Sequence, residues 1–453
     1  MKKILIINPP NQPFSEKSLL IEPIDLLSVA TYISSLGYEV KTVDMDVKRI
    51  KPEGIEFILS NFNPEFTIIP FDYHVPLHRS ESIPGINKIA QLAKQKGSTT
   101  IISGKTPKHY PLIFLKNGFD IVINGPMEFI LEELIISGKK LKSLSEIKGI
   151  SYLNNEKLVK NPDINNCNFD MMPIPNRRLV DIDDYIDVRA IWSSRGCNWM
   201  CNFCATSDFW GSWNARNSVK VADEIEMLVK DYKARKIIFL DDDATFDKIR
   251  MKDISNYLIK RKINVNLGCL SRVTDYNLES ISLMEKACFR WIHYGCESGS
   301  EKILSSVKKG LNPDLIREAI IGTKNAGLRV RTSWIYDLPG TDKQAIKDTN
   351  KLILETEPEE IRIHYLSPRV GTKFHNPNNS LQSQYIHHDS PQGTVNCDLS
   401  EIYSGIANLT EELRKRGYLI IQDMTEWEQV SKLKNPRFIS FCPSRYGLGW
   451  EKE

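Results

Sequence analysis

Short, uninterrupted apolar runs recur along this chain, each stopping at a polar turn and each followed by a segment of helical period. The first is Ile4-Leu5-Ile6-Ile7, which stops at Asn8-Pro9-Pro10. Leu26, Leu27, Ala30, Ile33 and Leu36 then fall on one helix face and end at Gly37. Further runs lie at 39–43, ending at Asp44, and at 66–71, 99–102 and 120–123. Strands that are apolar throughout are buried on both faces, and helices between them supply the cover, so residues 1–140 are expected to form a doubly wound, Rossmann-like parallel sheet. Such sheets bind ligands at the carboxyl ends of their strands. The candidates there are Pro70-Phe71-Asp72, Ser103-Gly104-Lys105 and Asn124-Gly125-Pro126.

Residues 141–185 read as a linker, with a small hairpin at 148–152 and a proline-containing crossing at 171–178. Alternation resumes over 186–375. The strand at 236–240 runs into Asp241-Asp242-Asp243, and others are expected at 265–269, 291–295, 328–336 and 361–366. Repeated strand–helix units with polar strand ends predict a full or partial βα barrel with its site at the strand C-termini. Over 376–453 the pattern weakens to polar turns, a helix at 399–416 and an aromatic tail, a small, mainly α region expected to face the substrate.

The 453 residues suffice for two or three domains. A net charge of +3 is too mild to argue for nucleic acid as a partner. No apolar run reaches the roughly 18–20 residues that span a bilayer, and the four apolar residues at 4–7 are too few for a signal-peptide core. Nine cysteines, an odd number with one tight cluster, do not read as a secreted disulfide framework. A reducing, cytoplasmic compartment is expected.

The cluster is Ser193-Ser194-Arg195-Gly196-Cys197-Asn198-Trp199-Met200-Cys201-Asn202-Phe203-Cys204, a loop directly after the apolar Ala190-Ile191-Trp192. Three thiolates from one loop can hold three corners of a cubane and leave the fourth iron open. Structural zinc is the alternative, but it needs a fourth ligand, and no nearby Cys or His supplies one. The spacing CxxxCxxC with aromatic Phe203 before Cys204 resembles the signature of the radical S-adenosylmethionine (SAM) superfamily. Later strand ends carry the same resemblance: Phe239-Leu240-Asp241-Asp242-Asp243, Ser271-Arg272, Gly295-Cys296-Glu297-Ser298-Gly299-Ser300, Leu338-Pro339-Gly340 and the segment 368–372. Asp337 and Thr341 depart from the strand-five pattern. Pro23, Leu26, Ala30, Gly37 and Asp44 fit the cobalamin-binding-type domain that precedes the radical SAM domain in one subgroup.

The resemblance implies a partial (β/α)6 barrel and a [4Fe-4S] cluster on Cys197, Cys201 and Cys204. It also implies SAM held by Phe203, Asp242, Arg272, Glu297, Ser298 and Arg331, and an electron donor of flavodoxin or ferredoxin type. Bland readings stand beside these roles: a helix cap for Ser298, a salt bridge for Arg331, a small core residue for Cys296 and a surface loop histidine for His74. Cys442, in the aromatic tail, is a remote candidate for reaching the site. Cobalamin would rest on Pro70, Ser103, Gly104, Asn124 and Gly125. Here the sequence departs from the subgroup: Ser103-Gly104-Lys105-Thr106-Pro107 stands for GGxHxT, and Asn124-Gly125-Pro126-Met127-Glu128 for GEGE. Lys105 and Met127 are expected to crowd a corrin. The implied activity is reductive SAM cleavage to a 5′-deoxyadenosyl radical, leading to cobalamin-dependent methylation of an unactivated carbon. The alternative is rearrangement, cyclisation, dehydrogenation or C–C bond formation without cobalamin. A non-catalytic Fe–S or zinc protein would leave the strand-end motifs without a purpose. A peptide, a lipid and a small molecule all remain open as substrate.

Overall fold

The structure, a computed structural model, describes residues 2–11, 14–15, 20–72, 80–137, 144–164, 167–376, 395–421, 426, 430, 433 and 435–441. His74 and Cys442 lie outside these residues. The chain divides into two compact units, each drawn from several stretches. One comprises Met1–Ile186, Ala205–Asn214 and Arg369–Ile386, and the other Asp187–Cys204, Ala215–Pro368 and His387–Glu453. Among the described residues no helix is long and apolar enough to cross a membrane.

The first unit is built on β1 (Lys3–Asn8), β2 (Glu39–Asp44), β3 (Phe66–Pro70), β4 (Thr99–Ser103), β5 (Ile121–Ile123), β6 (Ile150–Asn154) and β7 (Lys157–Lys160). Their order in the sheet is β2-β1-β3-β4-β5-β6-β7. The first five are parallel, and their 2-1-3-4-5 order is that of flavodoxin-like doubly wound sheets. Leu5, Ile7, Ile69, Ile102 and Val122 share a core with Ile55, Leu59, Ile86 and Ile89 of the helices Ile55–Phe62 and Ile83–Gln95. Ile4 and Ile6, equally buried, point to the opposite face by strand alternation. The Rossmann-like expectation holds.

The linker reading needs correction over 150–160. β6 and β7 are an antiparallel hairpin that pairs with β5 and extends this sheet. Asn155 and Glu156 both adopt positive φ, 48° and 63°, the two-residue I′ turn whose twist matches a hairpin. Ile150 and Tyr152 turn inward, giving the three-residue β5 a partner on its open side.

The second unit begins with β8 (Arg189–Ile191), and β9 (Ser194–Arg195) and β10 (Asn214–Ala215) form a two-stranded ribbon. β11 (Lys236–Phe239), β12 (Asn266–Ser271), β13 (Phe289–Glu297), β14 (Arg329–Ile335) and β15 (Glu360–His364) follow, then β16 (Leu419–Ile421) and β17 (Phe438–Ser440). The sheet runs β16-β17-β15-β14-β13-β12-β11-β8, parallel throughout. β8 and β11–β15 are the six strands of a partial (β/α)6 barrel. Outward-facing Ile237, Leu267, Ile292, Val330 and Ile361 share one core with Ile225, Ile254, Ile316 and Leu352 of the surrounding helices.

Five helices, Ser218–Tyr232, Lys248–Lys260, Leu278–Lys286, Pro313–Asn325 and Lys343–Thr356, start at an Asn or Asp whose side chain accepts a first-turn N–H. These are Asn217, Asp247, Asn277, Asn312 and Asp342, each stabilising its helix by about 1 kcal/mol relative to Ala. The C-terminal region contributes the helix Leu399–Lys415, as expected, plus the two three-residue strands on the sheet edge.

Candidate functional site

The root of the cysteine loop is fixed before the loop begins. Asp241, at the end of β11, accepts the Ser193 N–H at 2.8 Å and the Ser193 and Ser194 hydroxyls, each at 2.5 Å. Burial pushes the Asp241 carboxyl up, while the Arg250 charge and the two serines pull it down. Arg250 donates to the Ser193 carbonyl at 2.6 Å and, through Nε, to the Arg216 carbonyl at 2.8 Å. Arg216 in turn donates to the Trp192 carbonyl at 3.0 Å and pairs with Glu224. Neighbouring strand ends are thereby joined by charge, and the chain leaving β8 has one path to take.

Beyond that root, Cys197 is partly buried, Cys201 buried and Cys204 exposed. The Cys204 N–H donates to the Cys201 carbonyl at 3.1 Å, closing a tight turn. Asn202 docks that turn on the segment after the helix Glu301–Ser306, through its N–H to the Val307 carbonyl (3.0 Å) and its side chain to the Ser306 carbonyl (3.1 Å). Burial pushes the Cys197 thiol up to about 12, against a backbone N–H from Trp199. A bound cation converts such a thiol to the thiolate that ligates it. Among the described residues, no three His, Cys, Asp or Glu side chains converge tightly enough to hold a single metal ion.

Two buried cations flank the loop. Arg272, just past β12, donates from Nη1 to Cys201 Sγ at 3.2 Å and from Nη2 to the Lys309 carbonyl. Its guanidinium stacks on Trp199 at 4.3 Å from the ring centre. Lys309 lies 5.6 Å from the centre of the Phe203 ring and pairs with Glu297 at 2.8 Å. Burial opposes its charge, but Glu297, by charge and hydrogen bond, and Cys201 together hold the ammonium above its ordinary range. Sequence reasoning missed Lys309, which follows a helix end and belongs to no spacing pattern.

Glu297 closes β13 at a register irregularity, with a left-handed φ of 67°. Its side chain lies over Gly295, where any Cβ would meet Glu297 Oε1 at 2.5 Å. A Cβ on Gly299 would fall 2.6 Å from backbone atoms of Asp348 and Thr349, so this motif is glycine for close approach. The Ser298 hydroxyl accepts the Ser300 N–H at 3.2 Å, a turn bond ahead of the helix Glu301–Ser306, whose N-cap is Ser300. Asp242 is half-buried at the end of β11, and the neighbouring Asp243 is raised to about 9 by burial and by the Asp275 carboxyl.

Arg331 stands apart from the other SAM candidates. It is the third residue of β14, paired with Glu360 at 2.7 Å and stacked on Trp291 at 3.6 Å, all three fully buried. Four further residues of strand, about 13 Å, separate it from the strand's C-terminal end. The salt bridge expected for Arg331 at the surface is instead an internal pair. A guanidinium committed to a buried carboxylate near the start of its strand does not reach a ligand at the far end.

In the first unit the predicted strand-end residues meet. Ser103 donates to the Gly125 carbonyl at 2.9 Å, and Ser151 to Asn124 Oδ1 at 3.1 Å. At Gly104 a Cβ would lie 1.5 Å from the Phe71 carbonyl oxygen, so only glycine fits between the loops after β3 and β4. Pro70 is buried at the end of β3, in register with Ser103. Met127 is buried at the head of the helix Glu128–Ser137, so its side chain packs into the fold, and Lys105 is half-buried. The more buried lysine is Lys108, which donates to the Asp208 carbonyl at 2.5 Å and pairs with Asp163 at 3.5 Å. His109 meets the Asp208 carboxylate at 2.8 Å, an anchor that sequence reasoning did not find.

Residues 193–353, from the root of the cysteine loop to the helix after β14, match the Radical SAM superfamily. The match takes in the three-cysteine loop and most of the six-stranded partial barrel, and makes this part of the chain similar to radical SAM enzymes, a class that works with a [4Fe-4S] cluster and SAM. The cobalamin-dependent SAM radical enzyme OxsB, solved with aqua-cobalamin bound, superposes with a TM-score of 0.75 at 14% identity, covering 96% of this chain and 70% of that one. Among curated proteins, an uncharacterised methyltransferase of Pyrococcus horikoshii is 25% identical over 82% of both chains. The anaerobic magnesium-protoporphyrin IX monomethyl ester cyclase of Synechocystis is 22% identical over 82% of this chain and 76% of its own.

Proposed function

We propose that this protein is a cobalamin-dependent radical SAM methyltransferase acting on an unactivated carbon. The donor set at the cysteine loop suits a cubane: three thiols from one loop, backed by buried cations. When bound, the cluster and SAM supply a one-electron cleavage that yields a 5′-deoxyadenosyl radical. The chain's part is to hold the loop by Asp241 and Asn202 and to offer Asp242, Glu297, Ser298 and Phe203 at the strand ends for SAM. The electron comes from outside the chain, from a donor of ferredoxin or flavodoxin type.

The observation that carries the cobalamin reading is the strand-end surface of the first sheet. A 2-1-3-4-5 sheet gathers its ligand loops at the carboxyl ends of its strands. Here those ends are Pro70, Ser103, Gly104, Asn124 and Gly125, small or capped residues tied to one another. Met127, expected to crowd a corrin, is buried at the head of the helix Glu128–Ser137. Around Gly125 the nearest atom to an added Cβ is the Phe209 carbonyl at 3.9 Å, which leaves room against the backbone.

The test is oxygen-free reconstitution with iron, sulfide and hydroxocobalamin, followed by metal analysis and a visible spectrum. One corrin and one four-iron cluster per chain are expected, with deoxyadenosine formed from SAM under reduction. A full cluster without corrin would instead support the second reading, cobalamin-independent cyclisation or rearrangement, which the likeness to the Synechocystis cyclase favours. Four irons without any deoxyadenosine would refute both.

A further inference from the structure

We infer that Arg272 is a positioning residue that sets the reduction potential of the cluster through Cys201, and that it does not hold SAM. The inference rests on the cluster being bound at this loop, but on neither cobalamin nor the identity of the substrate.

Each nitrogen of the guanidinium has a partner in the fold. Nη1 donates to Cys201 Sγ at 3.2 Å, Nη2 to the Lys309 carbonyl, and Nε points to Thr274 Oγ1 at 3.4 Å. One face lies on the Trp199 ring, and the residue is only 6% exposed. Each of its three nitrogens is thus engaged within the fold, and with one face covered the guanidinium is held toward Cys201 rather than toward a SAM carboxylate. Trp199 is itself seated by Gly310, where a Cβ would come within 3.0 Å of the indole and where φ is +68°. The 306–310 segment therefore holds the loop, the indole and, through the Lys309 carbonyl, the arginine in one arrangement. Cys201 is also the most buried of the three ligand cysteines, so water does little to screen its partner.

A fixed positive charge that donates to a cluster sulfur acts on redox, because reduction adds one electron to an already anionic cluster–thiolate assembly. No bond forms or breaks in that step: one electron enters from an external one-electron donor and the cluster's charge falls by one. The arginine stabilises the more negative state more strongly and raises the potential. Arginine suits this role because it stays protonated and its planar fork keeps direction.

The experiment compares wild type, Arg272→Gln and Arg272→Lys, each reconstituted to four irons, by redox titration with mediators and dithionite, reading the reduced cluster by electron paramagnetic resonance. In Arg272→Gln the reduced-to-oxidised ratio at a fixed poise is expected to fall about tenfold, equivalent to about 59 mV for one electron. Arg272→Lys should lie between this variant and wild type. SAM binding, read by its perturbation of the reduced-cluster spectrum, should persist in both. A fully loaded Arg272→Gln protein with the wild-type potential overturns the proposal, as does loss of the SAM perturbation with the potential unchanged. Should neither variant load, wild-type protein labelled with ¹⁵N-arginine decides by pulsed resonance. A ¹⁵N coupling to the reduced cluster is expected, and its absence overturns the proposal. If wild type itself fails to bind four irons, the functional reading above fails, a result distinct from any of these.

Discussion

Asp44, at the end of β2, is buried yet accepts four hydrogen bonds: from Asn8 (3.0 Å), Tyr185 (2.9 Å), and the N–H groups of Asp46 (3.0 Å) and Val47 (3.2 Å). Burial outweighs these donors and pushes its carboxyl up to about 6. The folded chain thus keeps a proton that the unfolded chain has released above about pH 4. Its contribution to stability is greatest below that value, declines as the pH rises to about 6 and is constant beyond, a change of roughly 3 kcal/mol. Asp44→Asn is expected to flatten this slope in urea unfolding followed from about pH 4 to about pH 7; equal slopes in the two proteins would refute it. The residue itself was legible as a strand end, but its burial was not, since Tyr185 reaches it from 141 positions away. The same holds for Arg331: its residue type suggested a carboxylate partner, and only the register of β14 against β15 shows that the partner is Glu360. The cysteine triad was legible because its spacing is local and three thiols so close together admit few chemistries.

At the scale of elements, the tie between β8 and β11 is a buried ionic lattice of Asp241, Arg250, Arg216 and Glu224. Asp241→Ala leaves two hydroxyls and one N–H without their acceptor and the buried Arg250 without its neighbouring negative charge. It is expected to destabilise the chain by about 3 kcal/mol and to lower iron content after reconstitution, since the loop root is freed. Asp241→Asn, which keeps an acceptor, should cost less. Thermal unfolding of the metal-free protein and iron analysis check both, and a wild-type midpoint with full iron in Asp241→Ala would show that the lattice does not position the loop. The main strands were readable because doubly covered parallel strands must be apolar along their whole length, and the helices because amphipathic period and Asn or Asp caps agree. β16 and β17 were not, because three residues carry no period. The hairpin was seen, but its membership of the first sheet depends on β5 having an open edge, a fact about the sheet rather than about residues 150–160.

For the whole molecule, replacing Cys197, Cys201 and Cys204 together by Ala should abolish iron binding and deoxyadenosine formation while leaving the far-ultraviolet spectrum of the metal-free chain unchanged. Collapse of that spectrum would mean the thiols serve the fold rather than a cofactor. The division into units departs from a bead-on-string reading with boundaries near 140, 185 and 375. The first unit takes in 205–214, just after the last cluster cysteine, and a stretch that begins at Arg369, while the second takes in 187–204 between two parts of the first. This threading has a consequence for biogenesis. The first unit cannot be completed while the rest of the chain is still on the ribosome, because its last stretch is translated only after β15. The two units must therefore mature together, and a single cut anywhere between Asp187 and Arg369 yields two fragments that each lack part of a unit.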